Sequence, residues 1–499
     1  MKYMIKYSGE MTTKSRVVRQ QFCRQLRRNL ARVLRLHLGL FDKVTAPQDP
    51  EAITVEATWD HLQVELTSAQ EVLAPQVEAI LASTPGIWSF NRVLPRPLVD
   101  LDDIVTHVLQ VYDSRLQGHS FVVRCRRVGK HPFNSMDVES YVGACLRQRS
   151  SATGVDLHNP DVTVLLEIRD QMLYIVDQSL DGIGGFPLGT QDSVLSLISG
   201  GYDSAVASYL SMKRGLRTHF LFFNLGGSEH EIAVKEVALY LWLKFGASHP
   251  VQFITVPFGA VVAEILEKTD SSMMGVVLKR MMLRAATAVA DSLDVGALVT
   301  GESVAQVSSQ TLTNLCVIDE VTSKLVLRPL IMTDKQDIVD VAREIGTEEF
   351  SAVIPEYCGV ISVKPTTRAK LPRVLHAEKR FDFAVLEAAI GGRLGFDIRT
   401  MEVVRKDPGV SQEVDVPISN AAENLVILDI RHPDEEELRP LTAVPYPVEK
   451  VPFFRLNARF TQLASDRHYL LYCDKGVMSR LHAGHLKEKG HGNVGIYRK

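Results

Sequence analysis

The sequence predicts an α/β multidomain protein whose central domain is a doubly wound parallel sheet. Between residues 194 and 345, short apolar segments alternate with amphipathic helices, the pattern typical of parallel strands joined by helical crossovers. A strand, a glycine turn and a helix follow one another there, in the run VLSLISGGYDSAVASYLSM. The chain has 499 residues, too long for one core, and a second strand–loop–helix pattern starts at Leu425.

Composition excludes several classes of protein. The chain is 45% hydrophobic with a net charge of −3, which is ordinary for a globular protein. No apolar run approaches the roughly 20 residues that span a bilayer, and the N-terminus lacks the apolar core of a secretory signal. We therefore expect no membrane partner and a cytoplasmic location.

Cysteine usage points to single reactive thiols. The six cysteines include no CxxC pair, which excludes a disulfide framework and the usual zinc or iron–sulfur spacings. No metal-ligand set is predicted.

Positive charge is concentrated at the N-terminus. Residues 1–36 contain ten Lys and Arg against one acid, Glu10. After a strand at Met1–Ile5, apolar residues recur at helical spacing over Ser15–Leu36, with arginines between them. A solvated charged face usually mixes signs, so this face, with Arg24, Arg27 and Arg28, is predicted to bind nucleic acid.

A second basic cluster lies in the following α/β segment. Its predicted elements are strands Ile53–Ala57 and Leu62–Leu66, helices Gln70–Ala82 and Leu101–Val111, strand Ser120–Cys125, helix Ser135–Gln148 and strands Val162–Ile168 and Gln171–Val176. The turn RCRRVGKH, followed by SMDVESYVGACL and NPDVTVLLEI, resembles a THUMP domain, which implies binding of the tRNA acceptor end. Arg126, Arg127 and Lys130 are its candidate contacts, and the alternative is a surface hairpin with solvated arginines.

The central domain begins after the turn DGIGGFPLGT. Its predicted strands are Val194–Ile198, His219–Asn224, Phe253–Val256, Ala297–Thr300 and Leu325–Leu327, and its helices include Ser204–Lys213, Glu229–Phe245, Val261–Glu267, Gly275–Asp291 and Lys335–Ile345. Ligands of such sheets bind beyond the carboxyl ends of the strands. Both SGGYDS and Thr300-Gly301-Glu302 follow strands, so we expect them to face one pocket.

The stretch SGGYDS (Ser199–Ser204) has the features of an anion site. Backbone N–H groups of a glycine turn and the positive end of a helix dipole converge there. A Walker loop needs Gly-Lys-Ser/Thr, which is absent. The motif resembles the pyrophosphate loop (PP-loop) of ATP-pyrophosphatases, which adenylate an oxygen of their substrate; a simple capped strand–helix turn is the alternative.

The last 80 residues form a further α/β unit, after a predicted linker at 395–420. Strand Leu425–Asp429, an acidic turn Arg431–Glu437 and strand Leu470–Tyr472 lead to Cys473 and a helix over Ser479–Lys489. Loop N–H groups can point at the Cys473 sulfur and Arg480 can add positive charge, which together stabilise a thiolate or persulfide. The pattern with Gly476, Ser479 and Arg480 resembles a small rhodanese domain, whose cysteine carries a persulfide; a buried structural cysteine is the alternative.

The other cysteines differ in context. Cys358 lies in a loop between Pro355 and Gly359, where function and packing remain equally compatible with the residues. Four are predicted to be structural: Cys23 and Cys145 on helices, Cys125 at a strand end and Cys316 in a loop.

The order of these regions resembles the tRNA 4-thiouridine synthase (tRNA uridine 4-sulfurtransferase) family, in its long form with a C-terminal rhodanese domain. LKRMMLRAA at 278–286, LVTGESVAQVSSQTLTN at 298–314 and PEYCGVIS at 355–362 add to the resemblance. The implied division is a ferredoxin-like basic region at 1–75, a THUMP domain at 76–180, a PP-loop domain at 181–394, the linker at 395–420 and a rhodanese-like domain at 421–499.

The resemblance also implies a mechanism. ATP with Mg²⁺ adenylates uridine O4, with Asp203 as the essential loop acid and with ATP contacts at Leu197, Ile198, Ser199, Gly200, Gly201, Ser204, Lys279, Gly301 and Gln310. A cysteine desulfurase loads a persulfide onto Cys473, and sulfur reaches uridine directly or as sulfide. Cys358 then forms a disulfide with Cys473, which an external reductant reopens. A ThiS-like sulfur-carrier protein, sulfur supply for thiamine thiazole and a homodimer are further expectations.

Other functions remain open at this point. A PP-loop ligase or amidotransferase acting on a small molecule would use neither the THUMP-like nor the rhodanese-like region. A non-catalytic tRNA-binding sulfur carrier would not need the intact SGGYDS, Lys279 and Gln310. A thiosulfate rhodanese would not need residues 1–390.

Overall fold

The structure, a computed structural model, describes residues 1–38, 53–225, 227–354, 365–401, 424–431, 433–442, 444–473 and 477–497. It forms two compact units, Met1–Thr190 and Gln191–Lys499. The strands are β1 Lys2–Tyr7, β2 Thr54–Ala57, β3 His61–Glu65, β4 Ile87–Pro97, β5 Ser120–Val128, β6 Gly154–Val155, β7 Val162–Arg169, β8 Met172–Asp181, β9 Ser193–Leu197, β10 Arg217–Asn224, β11 Gln252–Pro257, β12 Ala297–Val299, β13 Leu325–Leu327, β14 Leu394–Asp397, β15 Leu425–Asp429, β16 Val448–Lys450, β17 His468–Tyr472 and β18 Val494–Ile496.

The helices follow in the same order along the chain. They are α1 Gly9–Thr12, α2 Arg16–Leu38, α3 Ala74–Ser83, α4 Leu101–Leu116, α5 Ser135–Arg149, α6 Tyr202–Lys213, α7 Gly227–Leu241, α8 Gly259–Lys268, α9 Met274–Ser292, α10 Leu312–Asp319, α11 Lys335–Ile345, α12 Glu348–Val353, α13 Leu371–Glu378, α14 Phe383–Gly391, α15 Pro433–Leu438, α16 Phe453–Phe460 and α17 Val477–Glu488. Within the described residues, none of these helices is both long and apolar enough to cross a membrane.

The N-terminal unit contains one eight-stranded sheet in the order β2-β3-β1-β4-β8-β7-β5-β6. Helices α4 and α5 pack on its second half through buried side chains such as Val108, Val142 and Leu146. On α2, Leu26 and Leu30 are buried at helical spacing while the arginines between them face outward. The amphipathic helix predicted here is confirmed.

The second unit contains a six-stranded sheet in the order β13-β12-β9-β10-β11-β14. Its strands are parallel except β14, which runs antiparallel to β11 at the edge. The chain runs from β9 through β10 to β11 and then crosses back to β12 on the other side of β9, so the carboxyl end of β9 is a topological switch point. The predicted doubly wound sheet is therefore confirmed, and it places the turn after β9 where ligands of such sheets bind.

The C-terminal residues build a separate four-stranded parallel sheet, β16-β15-β17-β18, in the same compact unit. One prediction here was wrong. The segment Arg431–Glu437, expected as an acidic turn, contains helix α15. Pro433 at the first helical position and acids directly after it favour the start of a helix, since both suit the unpaired N–H groups there.

Candidate active site

The glycine loop (residues 198–204) joins the carboxyl end of β9 to α6. Gly200 has φ +84°, a left-handed conformation that glycine adopts without strain, and Gly201 is the N-cap of α6. The Ser199 N–H donates to Ser204 Oγ at 3.2 Å, and that hydroxyl donates to Gly201 O at 3.0 Å. These bonds brace the loop so that the N-terminus of α6 lies at the strand end.

Two predicted residues, Leu197 before the loop and Ile198 at its start, hold the loop to the sheet. Leu197 is the last residue of β9 and packs against the core of this unit. Ile198 is buried, and its N–H donates to Leu221 O of β10 at 2.9 Å. Both act through backbone position and burial rather than through polar side chains.

Gly301 lies directly against the glycine loop. A Cβ at this position would lie 2.5 Å from Asp203 C and 2.7 Å from Ser204 N, closer than side-chain carbons approach backbone. Only glycine fits between β12 and the first turn of α6. The two strand ends therefore meet, as the sheet topology leads one to expect.

The Asp203 carboxylate has two partners that the sequence reasoning missed. Lys335 Nζ, at the start of α11, lies 2.7 Å from Asp203 Oδ1, and Gln306 Nε2 donates to Oδ2 at 2.8 Å. The Lys335 ammonium also lies 5.4 Å from the centre of the Tyr202 ring. A cation and an amide thus fix the loop acid.

A second charged group surrounds Glu302, the residue after Gly301. Its side chain is buried and accepts from Arg328 Nε at 2.8 Å and from Thr300 Oγ1 at 2.9 Å. Lys279 Nζ lies 3.6 Å from its other oxygen. Burial alone would raise the pKa of Glu302, but the Lys279 and Arg328 charges and the hydrogen bonds lower it, so the carboxylate is ionised.

Gln310 ends a single 3₁₀ turn, Ser308–Gln310. It is 8% exposed, and among the described residues its Oε1 has no hydrogen-bond partner. Ala305, shortly before it, has φ +65°, a strained conformation for a residue with a Cβ. A buried acceptor without a protein donor is available to a ligand or to an ordered water.

His230 of α7 is a further neighbour of the loop that the sequence reasoning missed. Its Nε2 lies 3.3 Å from Ser199 O, and its ring packs edge-on against Phe222 with centroids 4.9 Å apart. Burial lowers the pKa of His230 more than the contact with Ser199 raises it. The ring is therefore neutral near pH 7.

The Cys473 thiol lies at the carboxyl end of β17. The Ser479 N–H, in the first turn of α17, donates to Cys473 Sγ at 3.4 Å. Beneath it, the Asp429–Arg431 pair is almost fully buried, with Arg431 5.0 Å from the centre of the Tyr472 ring. A helix N-terminus aimed at a sulfur stabilises the thiolate.

Several predicted residues lie outside the described part of the chain. These are Cys358, Gly476 and the side chain of Arg480.

The remaining cysteines are placed by the structure. Cys23 lies on α2 and Cys145 on α5 as predicted, whereas Cys316 is exposed on α10 and not in a loop. Burial raises the pKa of Cys23, and it raises the pKa of Cys125 to about 12, so both are poor nucleophiles.

The predicted basic surfaces are exposed in the N-terminal unit. Arg24, Arg27 and Arg28 share the outer side of α2, and Arg126 and Lys130 are exposed at the end of β5. Arg127 is half-buried and donates to Gly129 O at 2.9 Å.

Comparison with known proteins decides the family. Residues 189–383 match the family described as Thiamine biosynthesis protein (ThiI), residues 99–176 match the THUMP domain and residues 414–499 match the rhodanese-like domain. The tRNA sulfurtransferase of Azotobacter vinelandii is 51% identical over 499 residues, and that of Pseudomonas aeruginosa strain UCBPP-PA14 is 50% identical over 509, each covering 100% of both chains. The chain belongs to the tRNA sulfurtransferase (ThiI) family.

A solved structure of related fold agrees with this membership. The crystal structure of a 4-thiouridine synthetase–RNA complex with bound ATP is 25% identical, with a TM-score of 0.66, and the match covers 79% of this chain and 99% of that one. The predicted family and fold class are confirmed. In this tRNA sulfurtransferase family member, the glycine loop and Cys473 belong to the ThiI and rhodanese-like segments, respectively.

Proposed function

We propose that the chain is an ATP-dependent tRNA sulfurtransferase that converts a tRNA uridine to 4-thiouridine. One observation carries the proposal: a single compact unit holds two sites. The first is the glycine loop, suited to an anion and packed against Gly301, and the second is the Cys473 thiol, which accepts a helix N–H. The tRNA sulfurtransferase relatives at about 50% identity and the ATP-bound 4-thiouridine synthetase complex support it.

The first step is activation of the uridine oxygen. The loop N–H groups of Ser199–Ser204 bind the β and γ phosphates of ATP, and the α6 dipole favours their charge. Uridine O4 attacks the α-phosphate, pyrophosphate leaves, and the C4 oxygen carries AMP, a far better leaving group. Lys279 and Gln310 are the proposed nucleotide contacts, which the cationic side chain of Lys279 and the buried acceptor of Gln310 support.

Mg²⁺ is expected to enter with ATP. Asp203 is the loop carboxylate that would bind the ion, and the ion would neutralise charge on the phosphates. Lys335 and Gln306 hold that carboxylate in one orientation.

The second step is sulfur transfer. A cysteine desulfurase loads Cys473 with a persulfide, whose terminal sulfur attacks C4 as AMP leaves. Cys358 then attacks Cys473 Sγ, breaking the S–S bond to the transferred sulfur and forming a Cys358–Cys473 disulfide; an external reductant supplies two electrons to reopen it. Alternatively, Cys358 attacks first and releases sulfide, which attacks C4.

The tRNA is proposed to bind the basic surfaces of the N-terminal unit. Arg24, Arg27 and Arg28 on α2 supply one patch, and the Arg126–Lys130 region supplies the other. Reversing Arg27 and Arg28 to glutamate should weaken tRNA binding most at low salt, because phosphate contacts release counterions. Unchanged affinity would place the RNA surface elsewhere.

Further partners follow from the same chemistry. The Cys473 persulfide is proposed to supply sulfur for thiamine thiazole through a ThiS-like carrier protein. A homodimer acting on tRNA in the cytoplasm is the proposed assembly, which sedimentation of the chain with and without tRNA would test.

The deciding experiment measures 4-thiouridine in bulk tRNA by mass spectrometry, in cells whose only source is this chain. Cys473→Ala should abolish it, while Cys316→Ala, which removes an exposed thiol on α10, should not. Asp203→Ala should also abolish it yet still accept persulfide from a desulfurase in vitro. Normal 4-thiouridine in the Cys473→Ala strain would remove this thiol from the reaction.

A further inference from the structure

The C-terminal sheet domain contacts the central domain through an aromatic pair. Phe453 of α16 packs against Phe350 of α12, with ring centroids 4.6 Å apart and the two side chains almost completely buried. On its other side, Phe350 packs against Tyr240 of α7 at 4.8 Å. Aromatic rings this close contribute more than the area they bury, so α16 has a defined contact with α12, whose Phe350 in turn packs against α7.

A buried contact between a histidine and a glutamate lies beside these rings. His482 Nε2 of α17 lies 2.7 Å from Glu236 Oε1 of α7, with side chains 1% and 7% exposed. The oxygen lies off the direction of the ring N–H, so the contact is not a well-aligned hydrogen bond. Because a buried carboxylate is costly without a facing charge or donor, Glu236 favours the one arrangement in which His482 faces it.

A third contact lies at the exposed edge. Arg455 Nη2 lies 3.8 Å from Glu349 Oε1, with side chains 67% and 46% exposed. Such a pair adds little affinity, but it gives two accessible side chains whose distance reports the contact. Glu236, Glu349 and Phe350 together are called the docking platform below.

The helices that carry the docking platform also hold the glycine loop. Ser351 Oγ of α12 donates to Gly200 O at 2.9 Å. A Cβ on Gly200 would lie 2.6 Å from Ile354 Cδ1 and 3.2 Å from Val234 Cγ2 of α7. The loop backbone is thus enclosed by the same two helices that seat the C-terminal domain.

Two hydrogen bonds connect α7 and the turn that follows it to the end of α11, shortly before α12 begins. The Tyr240 hydroxyl and the Lys244 ammonium both donate to Ile345 O, at 3.0 and 3.1 Å. With the Tyr240–Phe350 ring contact, these bonds link α7 to the chain just before α12 and to α12 itself, and both helices contact Gly200.

Two of the helices in this contact, α12 and α17, lie close in sequence to the two cysteines of the proposed reaction. Helix α12 comes shortly before the segment that contains Cys358, and α17 follows the loop after Cys473. Contact at the platform therefore joins the described helices that are closest in sequence to each cysteine.

We propose that the docking platform couples the C-terminal domain to the glycine loop: docking strengthens ligand binding at the loop, and a ligand at the loop strengthens docking by the same factor. The reciprocity is required by thermodynamic linkage. The docking contact stands independently, whereas the coupling rests on the proposed nucleotide site.

The first experiment tests docking by zero-length cross-linking of the full-length chain. In the Arg455→Lys variant, a carbodiimide should join Glu349 to the substituted side chain, and peptide mass spectrometry should find that link. The Arg455→Lys/Glu349→Gln variant is the matched control and should lack it. Glu236→Lys, which puts a cation opposite His482, should reduce the yield about tenfold.

The same experiment distinguishes the domains of one chain from those of two. Mixing ¹⁵N-labelled with unlabelled protein should give links within single isotopic species. Links between labelled and unlabelled peptides, or no link where Glu349 is visibly activated, would overturn the assignment.

The second experiment tests coupling through the glycine loop. A non-hydrolysable ATP analogue with Mg²⁺ should raise the cross-link yield about fivefold, and Glu236→Lys should weaken analogue binding by a similar factor. Gly200→Ala, which forces Ile354 away, should lower the yield without any nucleotide. Gly259→Ala is the control, because a Cβ there meets nothing within 4 Å.

Failure of the inference and failure of the proposed function give different results. A cross-link that ignores both the analogue and Gly200→Ala would overturn the coupling while leaving 4-thiouridine formation intact. A chain that shows the cross-link and its dependence on the analogue, but makes no 4-thiouridine, would refute the proposed function and keep the platform.

Discussion

The glycine loop and the Cys473 loop use the same backbone device for different chemistry. Each follows a strand of a parallel sheet and precedes a helix, so each places backbone N–H groups at a strand end. The glycine loop closes with Gly200 and Gly201, whereas the thiol of Cys473 itself receives the Ser479 N–H. The residue after the strand therefore decides the role of the site. Glycines leave room for an anionic ligand, whereas a cysteine supplies an anion, its own thiolate.

The surroundings of the two loops differ as much as the loops. The glycine loop is bordered by ion pairs that reach across the sheet, Asp203 with Lys335 and Glu302 with Arg328 and Lys279. The charge pair described beneath the thiol, Asp429 with Arg431, is local in sequence. We therefore expect the glycine loop to depend more strongly on close packing and on distant charges.

The largest effect is expected from Gly301→Ala. The new methyl group would overlap Asp203 C and Ser204 N, which are backbone atoms that cannot rotate away. Overpacking of this kind costs about 1–3 kcal/mol, so binding of an ATP analogue should weaken by up to about 100-fold. Calorimetric titration measures it.

The matched control for that substitution is Gly296→Ala. It precedes the same strand, and a Cβ there meets nothing within 4 Å. Equal binding by the two variants would mean that the close approach of Gly301 has no part in the site.

Local sequence patterns predicted those helices and strands whose ends are marked by nearby residues. Strands β13 and β15 and helix α11 begin and end as expected, because apolar runs or caps mark them. Strand β4 was missed because it contains Pro95 and Pro97. These prolines pair with β8 beyond the end of β1, so on one side they lie at a local sheet edge where a missing N–H is tolerated.

The two loops of the candidate site were predictable from the sequence, but the side chains that contact Asp203 were not. SGGYDS and the cysteine motif are continuous in sequence. Lys335 and Gln306 meet Asp203 only because the crossovers return their segments to the same sheet edge. No local pattern marks such a contact.

A smaller effect, on stability, is expected from Glu302→Gln. Removing this buried charge leaves Arg328 and Lys279 without their carboxylate, which should lower the free energy of unfolding by about 2 kcal/mol near pH 7. The pKa of Glu302 is lowered by folding from its ordinary 4.5, so its stabilising contribution is present above that pH and is lost as the pH falls. Denaturant unfolding from pH 7 down to pH 3 should show the two proteins converging.

Glu267→Gln is the control for that comparison. Glu267 is 68% exposed and pairs with its neighbour Lys268, so its removal should change stability little at any pH. A constant difference between wild type and Glu302→Gln across the pH range would mean that the charge of Glu302 is not what stabilises the site.

The smallest effect tests the thiol side of the comparison through Ser479→Pro. Proline fits the first turn of α17, where an N–H has no helical partner, but it removes the N–H that contacts Cys473 Sγ. Alkylation of Cys473 by iodoacetamide at neutral pH should slow severalfold, measured on the Cys473 peptide by mass spectrometry. Ser479→Ala keeps the N–H and should react like wild type. If Ser479→Pro also reacts like wild type, the helix N–H does not stabilise the thiolate, and the resemblance between the two loops is one of shape without a shared electrostatic role.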